Sequence, residues 1–257
     1  MILISKKDPL VIKREKMRRI FSTPICYYLL ILLVLLLPAH SQERQSSNDR
    51  PVATFSILGF DPETGMVGGA VQSRVFSVGN GVLWGKADVG MVATQAYVDV
   101  SYGPQGLELL RKGLSPKQVV KTLLNNDLDP HPEDWPKAAR QFSVMDSEGN
   151  VATHTGQKAS FWAGHKYGKN CSAQGNILAS ELVVKNMVET FEGTTGHISM
   201  RLLSALEAGQ AAGGDSRGMQ SAAILIVKKD GGVWLNNDVV LRLQVDDHTE
   251  PIKELRR

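Results

Sequence analysis

The chain has 257 residues, of which 42% are hydrophobic and 21% charged, an ordinary globular composition with enough length for one sizeable core. Its formal net charge is +3, but residues 1–41 carry +5, which leaves −2 on the rest. A slightly acidic folded part lacks the basic stripe that nucleic-acid binding needs, so DNA and RNA are not expected partners.

The first 41 residues have the three parts of an export signal. Lys13 to Arg19 form a cationic stretch, Ile25 to Leu37 an unbroken apolar run, and Pro38 breaks it ahead of the small-residue site Ala39-His40-Ser41. Cleavage there leaves Gln42 first. The run has thirteen residues, short of the roughly 20 that a spanning helix needs; an uncleaved anchor is the competing reading. Met17 is an alternative start. The expected location is periplasmic or extracellular, with the membrane touched only through this segment if it stays attached. Cys26 leaves with the signal and Cys171 is then alone, so no internal disulfide forms.

Residues 42–52 read as a flexible polar lead-in and 53–257 as one domain. Thr54 to Phe60 and Met66 to Ser73 read as a β-hairpin around Asp61-Pro62-Glu63-Thr64-Gly65. Two further strands are expected over 81–87 and 90–96. A helix over 105–112 stops at Gly113, and Ser115-Pro116 opens another with Val119, Val120, Leu123 and Leu124 on its apolar face. Gln141 to Asp146 and Val151 to Thr155 make a second hairpin. Two helices follow, one capped by Ser180 and one over 198–208. Gln220 to Val227 is apolar enough to be buried on both faces, and Val239 to Val245 is the last strand. This order implies an α+β fold with antiparallel sheets, such as a layered αββα sandwich, and not a doubly wound parallel sheet.

The chain has no HExxH, no phosphate-binding loop and no paired CxxC. Its polar clusters lie at strand ends. Thr54 opens the first strand; a hydroxyl there becomes a nucleophile if the chain begins with it, because its own α-amine takes the proton. It equally fits an ordinary β-branched residue starting a strand. Ser73 and Arg74 end the second strand, beside Thr54 in a hairpin, and Arg74 suits a carboxylate. Gln95 ends a strand, and Tyr102 either lines a pocket or packs a loop. Gln174-Gly175-Asn176 offers either an oxyanion donor or a loop satisfying its own backbone. Gly213-Gly214-Asp215-Ser216-Arg217-Gly218 carries more than a connector needs, with an Asp–Arg brace as the plain alternative. The six histidines show no metal spacing, and Cys171 reads as a small core residue.

The segments TFSILGFDPETGMVGGAVQSR, VGMVATQAYVDVSYGPQGLELL, QGNILAS, LLSALEAGQAAGGDSRGMQSAA and VDDHTEPIKELRR together resemble the family catalogued as domain of unknown function 1028, from about Thr54 to Arg257. That family resembles the N-terminal-nucleophile hydrolases in fold, which implies a four-layer αββα sandwich of two antiparallel sheets between helices. The resemblance implies amide-bond hydrolysis through Thr54. Ser73, Arg74, Gln95, Asn176, Asp215 and Arg217 would supply substrate or oxyanion contacts to a small, carboxylate-bearing molecule. No metal or organic cofactor is called for, and homo-oligomerisation is compatible with this reading. The mechanism requires a cut between Ala53 and Thr54, by the chain itself or by another protease. The alternative is a non-catalytic periplasmic ligand-binding or accessory domain with the same fold.

Overall fold

The first hairpin sets the frame. β1 (Thr54–Asp61) and β2 (Met66–Ser73) pair from Thr54↔Ser73 to Asp61↔Met66. Asp61 builds the turn between them: its carboxylate accepts from the Glu63 N–H at 3.2 Å and from the Thr64 hydroxyl at 2.6 Å, and its carbonyl from the Gly65 N–H. The computed structural model describes residues 53–257; the export segment and the lead-in expected over 1–52 lie outside the described residues.

The protein is α+β, and ten strands form two antiparallel sheets among the described residues. The larger runs β10 (Val239–Val245), β9 (Ser221–Val227), β2, β1, β8 (Cys171–Leu178), β7 (Trp162–Gly168). The smaller runs β3 (Leu83–Lys86), β4 (Gly90–Ala96), β5 (Arg140–Asp146), β6 (Val151–Thr155). Six α-helices complete the described part: α1 (Gly79–Val82), α2 (Tyr102–Arg111), α3 (Pro116–Asn126), α4 (Leu182–Gly193), α5 (Ile198–Ala211) and α6 (Pro251–Arg256). None is long and apolar enough to cross a membrane.

Strand alternation divides the apolar residues. Phe55 and Ile57 of β1 join Val183, Met187 and Phe191 of α4 and Leu202 and Leu206 of α5 in one buried cluster. Leu58, from the opposite face of β1, joins Val71, Leu225, Met91 and Met145, so both sheets contribute to a second cluster. Val92, Phe142 and Val144 pack with Tyr102, Leu110, Val119 and Leu123 in a third, under α2 and α3. Each large side chain so buried contributes about 1.5–3 kcal/mol before the entropy cost. Gly59 is small for a packing reason: a Cβ there would lie 2.6 Å from the Phe191 ring.

Several sequence expectations change. The strand expected from residue 81 is shorter, because Gly79–Val82 is helical and β3 begins at Leu83. Gln174-Gly175-Asn176 is not a loop: it lies in β8, buried throughout, next to β1. β7 is a further strand in the stretch after His154, and α6 closes the chain. β8 does alternate, Cys171 and Ala173 against Ser172, Gln174 and Asn176, but its apolar positions are small and its polar face is buried as well, so the segment resembles a loop more than a core strand.

Candidate active site

Thr54 is the first residue of β1 and is wholly buried. Its partners across the sheet are Ser73 on β2 and Asn176 on β8. Residues directly opposite each other share a face, so the three polar side chains lie side by side. The Thr54 and Ser73 hydroxyls are 3.0 Å apart. Ser73 Oγ also donates to the Ala53 carbonyl. That oxygen can only accept, so the single Ser73 proton is spent on it and Thr54 Oγ1 is the donor to Ser73.

The Thr54 carbonyl is held from the other side. Gln95 Nε2 donates to it at 3.1 Å and Asn176 Nδ2 at 3.4 Å. Both amides also donate to Gln141 Oε1, at 2.9 and 3.0 Å. Gln141 Nε2 in turn reaches the Gly175 carbonyl at 2.9 Å, the Gly164 carbonyl at 3.1 Å and Thr155 Oγ1 at 3.0 Å. Two backbone carbonyls accept only, so Gln141 must present its NH2 to them and its oxygen to Gln95 and Asn176. This fixes the orientation of all three amides, with donors on the Thr54 carbonyl. Ser56 Oγ donates to Gln95 Oε1 at 2.6 Å and completes that side.

The loop between α5 and β9 supplies the charges. Asp215 is 2% exposed and takes four bonds: from Arg217 Nε at 3.2 Å, Arg217 Nη2 at 2.9 Å, the Arg217 N–H at 2.8 Å and the Arg74 N–H at 3.1 Å. Arg217 Nη2 also donates to the Ala53 carbonyl at 3.0 Å. The exposed Arg74 guanidinium donates to the Arg217 carbonyl, and among the described residues no carboxylate forms an ion pair with it. Gly213, Gly214 and Gly218 all have positive φ, of 110°, 54° and 109°. The loop folds back on itself in a way that glycine tolerates and that brings Asp215 into a β-bridge with Leu178.

The seven residues expected from the sequence therefore converge on the Ala53–Thr54 peptide. Thr54, Ser73, Gln95 and Asn176 are in direct contact, Arg217 joins through the Ala53 carbonyl, and Asp215 and Arg74 brace Arg217. The sequence reading missed Gln141, the hub of the amide cluster, and Ser56. Their signal is faint: each is a polar residue at an alternate position of a strand with both faces covered, the pattern of a solvent-facing residue. His154 and His165 sit on β6 and β7, on either side of the 156–161 connection. His165 Nδ1 lies 2.9 Å from Thr155 Oγ1, at the edge of the cluster. Burial holds both imidazoles below their ordinary pKa, and His154 is lowered further by His165.

Other features lie apart. Tyr102 packs rather than lines a pocket: it is buried, and its hydroxyl donates to Asp127 at 2.7 Å. Asp127 pairs with buried Arg140, which also donates to the Tyr97 and Trp135 carbonyls. Cys171 is buried and its thiol is pushed up to about 12 by desolvation, as for an inert core residue. Among the described residues no three His, Cys, Asp or Glu side chains are grouped to hold a metal. A cavity of about 710 Å³ lined by Asp61, Lys169, Glu192 and Arg201 lies at the Asp61 end of β1, opposite Thr54.

The family model described as "Family of unknown function (DUF1028)" matches residues 54–255. A crystal structure of a protein from Silicibacter pomeroyi, itself described as DUF1028, is similar at 33% sequence identity with a TM-score of 0.70, covering 79% of this chain and 83% of that one. No curated protein matches the sequence.

Proposed function

The chain belongs to the family of unknown function DUF1028, and on that premise we propose that it is an exported amide hydrolase of the N-terminal-nucleophile kind, acting through Thr54. One observation carries the reading: the Thr54 hydroxyl donates to Ser73 beside an Ala53 carbonyl that accepts from both Ser73 and Arg217. A hydroxyl poised next to a carbonyl with two fixed donors is what acyl transfer requires. The three apolar clusters, one between the sheets and one beneath each helix pair, support the four-layer αββα arrangement of that hydrolase class.

In this mechanism a cut after Ala53 frees the Thr54 α-amine, whose ordinary pKa of about 7.7–8.0 suits a base near neutrality. The amine takes the hydroxyl proton as Oγ1 attacks the substrate carbonyl carbon. Ser73 Oγ and Arg217 Nη2, released from Ala53, receive the developing negative oxygen. The α-ammonium returns the proton to the leaving amine, and water hydrolyses the Thr54 ester. Gln95 and Asn176 hold the Thr54 backbone, so the nucleophile does not drift. Asp215 neutralises Arg217, which therefore acts as a donor more than as a charge. Arg74, with its guanidinium unpaired by any carboxylate among the described residues, suits a carboxylate on a small substrate.

The test is N-terminal sequencing and intact mass of the protein recovered from its own cells. A chain that starts at Thr54 is the expected result. A chain that keeps residues ahead of Thr54 sinks the reading and leaves the non-catalytic ligand-binding domain, which the complete burial of Ala53 and Thr54 would then favour.

A further inference from the structure

Release of Thr54 poses a problem that turnover does not. Until Ala53 is gone, the Thr54 nitrogen is an amide, and an amide nitrogen is no base. Some other group must take the hydroxyl proton. Asp215 is the carboxylate next to this peptide, and its oxygens are engaged by Arg217 and the Arg74 N–H. No histidine bonds to Thr54 among the described residues, and the partner of Thr54 Oγ1 there is Ser73 Oγ.

We infer that Ser73 is the proton carrier in a self-cleavage that exposes Thr54. This rests on the reading of Thr54 as nucleophile and adds the residue that makes its release independent of any other protein. The hydrogen bonds run in one direction, Thr54 O–H to Ser73 Oγ and Ser73 O–H to the Ala53 carbonyl oxygen. As Thr54 Oγ1 bonds to the Ala53 carbonyl carbon, its proton passes to Ser73 while the Ser73 proton passes to the Ala53 oxygen. The product is a neutral five-membered adduct, with no ionised serine at any point. Arg217 Nη2, 3.0 Å from the same oxygen, polarises the carbonyl. The adduct then collapses: the carbon–nitrogen bond breaks, the proton leaves the oxygen and reaches the Thr54 nitrogen. The Ala53 acyl group now sits on Oγ1 as an ester beside a free α-amine. Water hydrolyses the ester to an Ala53 carboxylate and the Thr54 hydroxyl. Water is the only co-reactant.

The experiment uses the full chain, purified before cleavage, and follows by intact mass the appearance of a product beginning at Thr54. Ser73→Ala is expected to slow that product by about 100-fold or more, the usual range for a lost proton-transfer group. Ser73→Thr, which keeps the hydroxyl, is expected to restore the rate to within about tenfold of the parent. The parent should slow in deuterated solvent, with a curved dependence on deuterium fraction because two protons move together. If Ser73→Ala fails to fold, Ser73→Thr against Ser73→Val decides the matter: the two side chains share a shape, and only the one that keeps the hydroxyl should cleave with the curved dependence. Equal rates for the parent and Ser73→Ala, or a linear or absent deuterium dependence, overturn the proton-carrier role and leave Thr54 as nucleophile. A purified parent that never cleaves, although the protein from its own cells begins at Thr54, also overturns it: another protease then does the cutting. Residues still attached ahead of Thr54 in the native protein overturn both the inference and the reading beneath it.

Discussion

Asp215 and Arg217, two residues apart in one loop, form a two-pronged ion pair, with Nε 3.2 Å from Oδ1 and Nη2 2.9 Å from Oδ2. The carboxylate side chain is fully buried, whereas the guanidinium is 29% exposed. The pair does two things at once. It neutralises a charge that could not otherwise be buried, and it aims Nη2 at the Ala53 carbonyl.

Asp215→Asn keeps the shape but removes the charge and turns one acceptor into a donor facing Arg217. Breaking a buried pair from one side costs about 3 kcal/mol or more. The variant should show a denaturation midpoint lowered accordingly, and Arg217, no longer aimed, should support slower cleavage at Ala53. An unchanged midpoint would mean that the loop is held by its backbone alone.

Thr54→Ala removes one hydroxyl and leaves Ser73 still bonded to the Ala53 carbonyl. The expected stability change is small, about 1 kcal/mol. The chain should fold, as circular dichroism reports, and keep the residues ahead of position 54, as intact mass reports. A Thr54→Ala chain that is still cut after Ala53 would remove Thr54 from the mechanism.

Gln141→Ala strips the amide cluster of its hub. Gln95 Nε2 and Asn176 Nδ2 lose a shared acceptor, and the Gly164 and Gly175 carbonyls lose a donor. Unmet buried groups cost about 1–3 kcal/mol each. Urea denaturation should show a loss of at least about 3 kcal/mol, with partial relief if water enters the space. A loss near zero would argue that the cluster contributes nothing to stability.

Acid should act through the histidines before the carboxylates. Burial lowers the folded-state pKa of His154 and His165 below the ordinary 6.5. Below that value the unfolded chain binds more protons than the folded one, so stability falls as pH drops through the window beneath 6.5. Replacing both by glutamine should flatten the dependence of melting temperature on pH in that window. A second decline belongs to Asp127. Burial pushes its carboxyl up, but the Tyr102 hydroxyl, the Asp129 N–H and Arg140 outweigh it and hold it below the ordinary 3.8. Stability from that group is present above 3.8 and is lost as pH falls further.

The local signals in the sequence held where local chemistry decides. The Asp61–Gly65 turn, the Ser115-Pro116 start of α3 and the glycine-rich loop before β9 each need particular side chains at fixed offsets, and those can be read along the chain. The strands Gly90–Ala96, Val151–Thr155 and Val239–Val245 also appear with the expected bounds. The seven candidate residues were legible because small polar clusters at strand ends stand out against apolar runs.

What the sequence determined by itself is thus the set of elements whose residues are close in the chain, along with the family resemblance carried by its longer motifs. Tertiary structure decided which of those elements meet. Asn176 is 122 positions from Thr54 and Gln141 is 46 from Gln95, yet both pairs are in hydrogen-bond contact. β8 lies between β1 and β7, and although its alternation of Cys171 and Ala173 with Ser172, Gln174 and Asn176 is that of a strand, nothing local names those neighbours. Gln141 became a hub because both faces of β5 are covered, so a position that alternation assigns to solvent faces other amides instead. Pairing across long sequence separations depends on complementary surfaces formed during folding, and no local pattern encodes them.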